Sequence, residues 1–342
     1  MDYSCSQCGV SVDFNKQGTF FVLQIQLSEA KEISDSFYQS GKSAALDYTN
    51  LKEIEEVAVK LYKAGYHHVN CGVAQQGAKA AFMDIQLFLE RIQNRETIDF
   101  IQNGKFVSHL QPIVNVQSGD VYAYESLLRS NDPSKSISPF ELFKVANSTG
   151  FHSLLDQRAR EEAIKAKKMH IEAGIKSFIN FLPSTIYNPE YCLKHTFNIV
   201  KKYDIDPEDL VFEVVETEKI TDVDHLKSVF NTYKREGIKV ALDDVGAGFS
   251  TIDMLKLLEP DYVKIDRSFV SFCDTDEEKQ AFLKEIRQTS ANLGIKVLAE
   301  GIERKEELEI CQKLGLDLCQ GYLFGKPSES AQLPAVNALF VS

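Results

Sequence analysis

A chain of 342 residues, 44% apolar and 26% charged, is long enough to bury one large core and a smaller second one. Its 38 Lys and Arg against 50 Asp and Glu, a net charge of -12, exclude the blanket charge neutralisation by which proteins hold polymeric nucleic acid. They do not exclude a small anionic ligand gripped by a few placed cations or metals.

No stretch approaches the roughly 20 uninterrupted apolar residues of a membrane span. The opening MDYSCSQCGVSVDFNK has no basic segment followed by an apolar run, so a cytoplasmic location and no membrane partner are expected. The seven cysteines are odd in number and mostly scattered through apolar stretches, which predicts reduced, buried thiols instead of a disulfide framework. Cys5 and Cys8 have the spacing of half a zinc site, with His67, His68 and Cys71 as possible further ligands.

All nine prolines lie from Pro112 onward, which sets the opening third apart. There, Thr19 to Leu27 and Tyr66 to Val73 have the composition of strands. Leu51, Ile54, Val57, Ala58 and Leu61 recur at helical spacing behind an Asn50 cap. Phe82, Ile85, Phe88, Leu89 and Ile92 form an apolar stripe on a helix, suited either to coupling two domains and pairing chains or to packing on its own domain. The expected division is a small α+β N-terminal regulatory domain with its linker helix at 1–94, then a second domain at 95–334.

From about residue 105 the pattern alternates strand with helix. The strand runs are HLQPIVN, VYAYESLLR, KSFINF, LVFEVVE, IKVALDD, DYVKID, IKVLAEG and DLCQGY. Between most of them lie amphipathic helices, at Pro139 to Asn147, Leu154 to Ala173, Asp224 to Glu236, Glu277 to Leu293 and Lys305 to Leu314. This predicts a TIM-like (β/α)8 barrel. Only a short turn at Gln117 to Asp120 separates the first two strands, so they form a hairpin and one of them runs antiparallel. The basic run Lys165 to His170 is read as a solvated helix face.

The reactive mouth of such a barrel is built from the strands' carboxyl ends. Those ends carry Glu125, Asn180, Glu213, Asp243 with Asp244, Lys264, Glu300 and Gln320. Taken singly, an Asp there often caps a helix and a Glu often pairs with a surface Lys. Taken together, an oxygen-rich set without His or Cys suits hard cations such as Mg²⁺ or Mn²⁺, which would also relieve the repulsion among the carboxylates. A chain turning at the strand end would let both Asp243 and Asp244 reach one cavity and so serve two ions. Such a pair, roughly 3.5–4 Å apart, is the usual clamp for cleaving a phosphodiester. Lys264 would hold the attacking water or offset transition-state charge. The glycines of Gly246-Ala247-Gly248 are read as hinge material.

The runs YESLLR, FINF, FEVVE, DDVGAGFST, VKIDRSFV, AEGIE and CQGYLFGKP resemble, in order, the motifs of the EAL family of cyclic di-GMP phosphodiesterases over about residues 100 to 330. The resemblance implies hydrolysis of cyclic di-GMP to linear pGpG with two Mg²⁺ or Mn²⁺ ions. It implies that Glu125, Asn180, Glu213 and Asp243 bind one metal, and that Asp243, Asp244 and Glu300 hold the other or its water. Lys264 would contact the nucleophilic water, Gln320 would position it, and Glu300 would double as general base. Arg129 would grip a phosphate, with Gln111, Leu128 and Glu303 lining the nucleotide cleft. Glu216 would anchor the loop after the fifth strand, which in the family joins catalysis to homodimerisation.

Two departures stand out. Ser126 replaces the alanine of the family tripeptide, and Val245 stands where many members carry an aromatic, which puts the loop or the dimer contact in question. The rival function is a cyclic di-GMP receptor that binds without hydrolysing. The filled set of ligand positions favours the enzyme, and the ordered motifs disfavour an enolase-like use of Lys264. No cyclase motif is visible in residues 1 to 94.

Overall fold

A computed structural model describes residues 14–75, 79–132, 136–215, 222–246 and 252–334. The chain divides into two compact units, one of residues 1–104 with 137–155, the other of 105–136 with 156–342. This division by compactness is not linear, unlike the boundary at residue 94 expected from composition.

In the first unit the order is β1 (Gly18–Leu23), α1 (Leu27–Ile33), β2 (Tyr38–Ser40), β3 (Ser43–Tyr48), α2 (Leu51–Lys63), β4 (Asn70–Ala74), β5 (Ala81–Asp84), α3 (Ile85–Gln93) and α4 (Arg95–Asn103), joined by the later α5 (Pro139–Thr149). The strands form an antiparallel sheet in the order β2-β3-β1-β4-β5. The predicted cap is present, with the Asn50 side chain accepting from the Glu53 amide at 3.1 Å, and α2 buries Ile54, Val57, Ala58 and Leu61. Ile85, Phe88 and Ile92 of α3 are fully buried in the core of this same unit, so the apolar stripe packs on its own unit. Phe82 is not part of that helix; it lies in β5, and Asp84 caps α3 through the Leu87 amide.

The second unit is a closed barrel of β6 (Phe106–Asn115), β7 (Val121–Ser130), β8 (Lys176–Phe181), β9 (Leu210–Val214), β10 (Lys239–Val245), β11 (Tyr262–Ile265), β12 (Lys296–Ala299) and β13 (Leu318–Gln320). Around it run α6 (His152–His170), α7 (Pro189–Cys192), α8 (Lys194–Lys202), α9 (Val223–Arg235), α10 (Ile252–Leu258), α11 (Arg267–Val270), α12 (Glu277–Leu293) and α13 (Lys305–Leu314). β6 is antiparallel to both its neighbours, β7 and β13, and the other pairs are parallel. The odd strand inferred from the short turn is therefore β6.

Ile113, Ala123, Phe178, Val211, Ala241, Tyr262, Leu298 and Leu318, one from each strand, pack together as an apolar floor inside the barrel. A strand presents alternate residues to one face, so the position two residues nearer the mouth is the next layer. There the chain places Gln111, Glu125, Asn180, Glu213, Asp243, Lys264, Glu300 and Gln320. The basic run on α6 is not wholly solvated. Lys167 is buried, donating to the carbonyls of Glu172 and Ile175 at 2.7 and 2.6 Å and pairing with Asp209 at 2.9 Å.

Candidate active site

The layer above the floor is organised around one cation. The Lys264 ammonium, 1% exposed, lies 2.7 Å from Glu300, 3.0 Å from Glu213, 3.1 Å from Asp243 and 3.7 Å from Glu125. Each comes from a different strand or strand end, so the constellation exists only once the barrel closes. Gln320 Nε2 donates to Glu125 at 2.6 Å and to Gln111 Oε1 at 3.2 Å, and Asn180 Nδ2 donates to Glu125 at 3.3 Å.

One ammonium among four carboxylates leaves excess negative charge in a desolvated place. Burial pushes the Glu300 carboxyl up to about 8; Lys264 opposes the shift, while Asp243 and Glu125 add to it. Burial, reinforced by its carboxylate neighbours, also holds Glu213 well above the usual carboxylate range, and Asp243 is raised by burial too. Glu125 goes the other way. Burial opposes its ionisation, but Lys264 and the hydrogen bonds to Gln320 and Asn180 outweigh it. Burial works against charge on Lys264, yet its carboxylate neighbours lift its pKa well above that of an ordinary lysine, so it stays charged.

Asp243 and Asp244 share the site through a backbone irregularity. Asp244 has φ of 52°, and the register of β10 against β11 shifts between Leu242 and Val245. A bulge of this kind aims two consecutive side chains at one side instead of opposite ones. Carboxylate oxygens of Asp243, Asp244 and Glu300 lie within 4.8 Å of one another, as the two-aspartate reading requires. Val245 is fully buried in the apolar layer and pairs with Ile265, so its side chain belongs to the barrel wall.

Over this cluster opens a cavity of about 280 Å³ whose walls include Gln111, Glu125, Asp243, Lys264, Glu300, Glu303 and Gln320. Leu128 is not among them. Its neighbour Leu127 lines the cavity, as the period of two from Glu125 requires, and Leu128 lies on the other face of β7. Arg129 shares the face of Glu125 and Leu127 but stands outside the lining, its Nη1 donating to the Leu128 carbonyl at 2.8 Å. Arg267, Gly301, Gly321 and Tyr322 line the cavity and were not singled out from sequence. The signal was present in the glycines of AEGIE and CQGY, which allow close approach of neighbouring chain. A Cβ on Gly321 would lie 2.0 Å from the Ile302 carbonyl oxygen, and one on Gly301 would lie 2.3 Å from Arg267 Cγ.

Glu216, residues 247–251 of the loop expected to carry homodimerisation, and Cys5 with Cys8 lie outside the described residues. The possible further zinc ligands do not converge. Cys71 is fully buried in the first unit's core, whereas His67 and His68 are exposed. Among the described residues, Asp243, Asp244 and Glu300 are the group of His, Cys, Asp or Glu placed to hold a metal ion. Among the described residues no helix is long and apolar enough to cross a membrane.

The EAL domain family model matches residues 91–327. A probable cyclic di-GMP phosphodiesterase of Escherichia coli, PdeG, is 34% identical over 236 residues, covering 66% of this chain and 45% of its own length. The chain spans less than half the length of the curated relatives that head the comparison, at 45%, 28% and 35%. A standalone versatile EAL protein from Vibrio cholerae, solved in its c-di-GMP-bound form, is 31% identical with a TM-score of 0.62 over 69% of this chain and 98% of its own. The BlrP1 protein of Klebsiella pneumoniae, 21% identical with a TM-score of 0.62, shares the fold over 93% of this chain and 98% of its own. With the family match spanning most of the chain and the mouth carrying the motif residues in strand register, the protein belongs to the EAL domain family.

Proposed function

We propose that the barrel hydrolyses one phosphodiester bond of cyclic di-GMP, releasing linear pGpG, in a reaction that depends on divalent metal. The observation that carries this reading is the buried cluster of Glu125, Glu213, Asp243 and Glu300 around Lys264, with Asp244 turned into it. Relatives named for cyclic di-GMP hydrolysis support the choice of substrate.

The donor set fits hard cations. It consists of carboxylate and amide oxygens, and Glu213 is fully buried with the Lys264 ammonium 3.0 Å from its Oε2 and its Oε1 without a hydrogen-bond partner. Asp243, Asp244 and Glu300 would hold one Mg²⁺ or Mn²⁺, and Glu125, Asn180, Glu213 and Asp243 a second. Bound there, the ions would supply Lewis-acid stabilisation of the diester's developing charge and a water of lowered pKa.

The chain's own residues do the rest. Lys264, fixed by its carboxylate neighbours, holds positive charge at one point of the dry site, where an electrostatic contact to the reacting phosphate is worth more than in water. Glu300, whose burial gives it a proton affinity far above that of an exposed glutamate, accepts the proton of the attacking water. Gln320, held between Glu125 and Gln111, orients that water. The first unit, which contributes none of these residues, is proposed as a regulatory unit.

The test is hydrolysis of cyclic di-GMP by the full chain in Mg²⁺ or Mn²⁺, with pGpG resolved by chromatography, beside Glu125→Ala and Asp243→Ala. Product from the parent and a loss of about a hundredfold or more in both variants is expected. Tight binding with no turnover in either ion would replace the enzyme with a receptor.

A further inference from the structure

Asp156 and Arg160 stand four residues apart on α6, the spacing at which opposite charges meet on one helix face, and both side chains are buried. Arg160 Nη2 lies 2.8 Å from Asp156 Oδ2, and Arg160 Nη1 donates to the Thr196 hydroxyl of α8. Desolvation offsets most of the attraction within a buried ion pair, so stability alone does not account for it. The other bonds of Asp156 point to a use, because they converge on the segment that leaves β8. Asp156 Oδ1 accepts from the Leu182 amide at 3.0 Å. The Thr185 hydroxyl lies 2.9 Å from Asp156 Oδ2 and 2.7 Å from the Leu182 carbonyl oxygen. Leu182 is the next residue but one after Asn180, and the strand loses a neighbour just there. The register of β8 with β7 ends at Ile179 opposite Ser126, whereas with β9 it continues to Phe181 opposite Val214. Asn180 therefore sits one residue past the end of the β7 ladder, joined across that gap by the bond from its Nδ2 to Glu125 at 3.3 Å. A backbone amide that leaves a ladder needs another acceptor, and Asp156 supplies one to Leu182.

Resting on the reading of the barrel as a metal-dependent cyclic di-GMP phosphodiesterase, we infer that Asp156 is a positioning residue for that reaction: it fixes the exit of β8, and through it presents the Asn180 amide oxygen to a divalent cation. With Nδ2 given to Glu125, Oδ1 is the end of the Asn180 amide offered to a hard cation. The strand sets which way that side chain points, but a strand end paired on one side can swing, and a ligand out of place by a fraction of an ångström is lost to the ion. Two contacts restrain the swing from outside the barrel. Phe181 packs outward against Phe212 and Tyr233, with ring centroids 6.4 and 5.4 Å away. Beyond it the Leu182 amide is held by Asp156, whose carboxylate is itself held by Arg160 and, through Arg160, by α8. The arrangement needs both carboxylate oxygens, Oδ1 for the Leu182 amide and Oδ2 for Arg160. An asparagine has one acceptor oxygen and cannot serve both. Asp156 touches neither the cavity nor the cluster, so its influence on the ions passes through Asn180.

The test separates positioning from stability. Mn²⁺ binding to the full chain would be read from free Mn²⁺ by electron paramagnetic resonance without nucleotide, beside cyclic di-GMP turnover against Mn²⁺ concentration and the melting temperature in chelator. The proteins are the parent, Asp156→Asn, Asn180→Ala, the two combined, and Thr196→Val. Asp156→Asn should weaken Mn²⁺ at one site about ten- to a hundredfold and raise the Mn²⁺ needed for half-maximal turnover by the same factor. Asn180→Ala should weaken Mn²⁺ at least as much, and adding Asp156→Asn to it should cost no further affinity, because the two act through one ligand. Thr196→Val removes a support of Arg160 but keeps the Leu182 bond, so it should lower the melting temperature and leave Mn²⁺ affinity as in the parent. Losses that multiply in the double variant, or an affinity that follows the melting temperature through every variant, would make Asp156 purely structural and overturn the inference. Should Asp156→Asn fail to fold, Thr185→Val loosens the same turn without stranding a charge and should weaken Mn²⁺ by about threefold; unchanged affinity there would overturn the inference. Equal Mn²⁺ dependence of turnover in the parent and Asp156→Asn would overturn it and leave the hydrolase reading standing. A parent that binds Mn²⁺ without turning over cyclic di-GMP would overturn the hydrolase reading and leave positioning to be decided by the binding arm. A parent that binds no Mn²⁺ would overturn both.

Discussion

Glu300 shows how one residue ties stability to metal. Its carboxyl has a pKa of about 8 in the folded chain against an ordinary 4.5, with burial as the first cause. The neutral form is therefore the one the fold accommodates. Its contribution to stability is fully present below about 4.5 and is lost as pH rises through about 8. In the presence of a chelator, the melting temperature of the parent should fall relative to Glu300→Gln between those two values. A gap between parent and variant that stays constant across that window would show that the site does not hold the proton. Divalent ions require the ionised form, so Mn²⁺ should raise the parent melting temperature more at pH 8 than at pH 6, and do so weakly in the variant. The residues of this cluster were legible from sequence because each follows its strand's apolar floor residue by two positions, which a period-two reading exposes. Leu127 obeys the same period and was missed in favour of Leu128, an error of face and not of strand. Arg267 and Tyr322 were not legible because a charged or aromatic residue just past a strand looks like ordinary surface until the barrel closes.

At the scale of elements, strand pairing accounts for the unusual serine in the family tripeptide. Ser126 points away from the cavity, on the face of β7 opposite Glu125, and is buried. Its hydroxyl lies 3.1 Å from that of Ser177 on β8, itself fully buried. The two satisfy one another, and an isolated buried hydroxyl costs about 1–3 kcal/mol. Ser126→Ala restores the common family residue but leaves Ser177 unpartnered, so it should destabilise the chain by about 1 kcal/mol or more in denaturant melts. Ser177→Ala should do the same, and the double variant should recover most of the loss, since pairs in contact are not additive. Turnover should change little in all three, because neither hydroxyl faces the cluster. Additive losses in the double variant would rule out the mutual hydrogen bond. Elsewhere the alternation of strand and helix reached the right elements to within a few residues, and the brevity of the first turn marked one of the first two strands as antiparallel, which the pairing then identifies as β6. The stripe starting at Phe82 was assigned to one helix because a strand and a helix joined at Asp84 share a continuous apolar spacing.

The molecule as a whole divides in a way that no linear cut reproduces. Helix α5 lies within the span of the barrel motifs, but it packs on α3 and α4 in the first unit. Its attachment is specific. Arg91 of α3 is buried, its Nε donates to the Thr149 carbonyl at 2.9 Å, and its guanidinium sits 5.1 Å from the centre of the Phe151 ring. Composition placed the boundary by the onset of prolines, a local property, whereas compactness depends on contacts between residues far apart in sequence, here 58 positions from Arg91 to Thr149. A fragment of residues 105–342 therefore keeps every strand of the barrel and the whole carboxylate cluster, but strips α5 of the helices and the arginine that hold it. In that fragment amide exchange should rise across 139–149 while β8 to β11 stay protected. Cyclic di-GMP turnover by the fragment should differ from that of the full chain if the first unit regulates the barrel, and equal rates would remove the regulatory proposal. A changed rate alone has two sources, loss of a regulator or release of α5. Arg91→Met in the full chain separates them, because it loosens α5 and leaves the first unit in place. If that single change reproduces the fragment's rate, the first unit acts through α5; if exchange rises across 139–149 while the rate stays at the full-chain value, the effect belongs to the remainder of the unit. Protection of 139–149 that is identical in the fragment and the full chain would mean that α5 stands on its own and that the linear boundary describes the molecule after all.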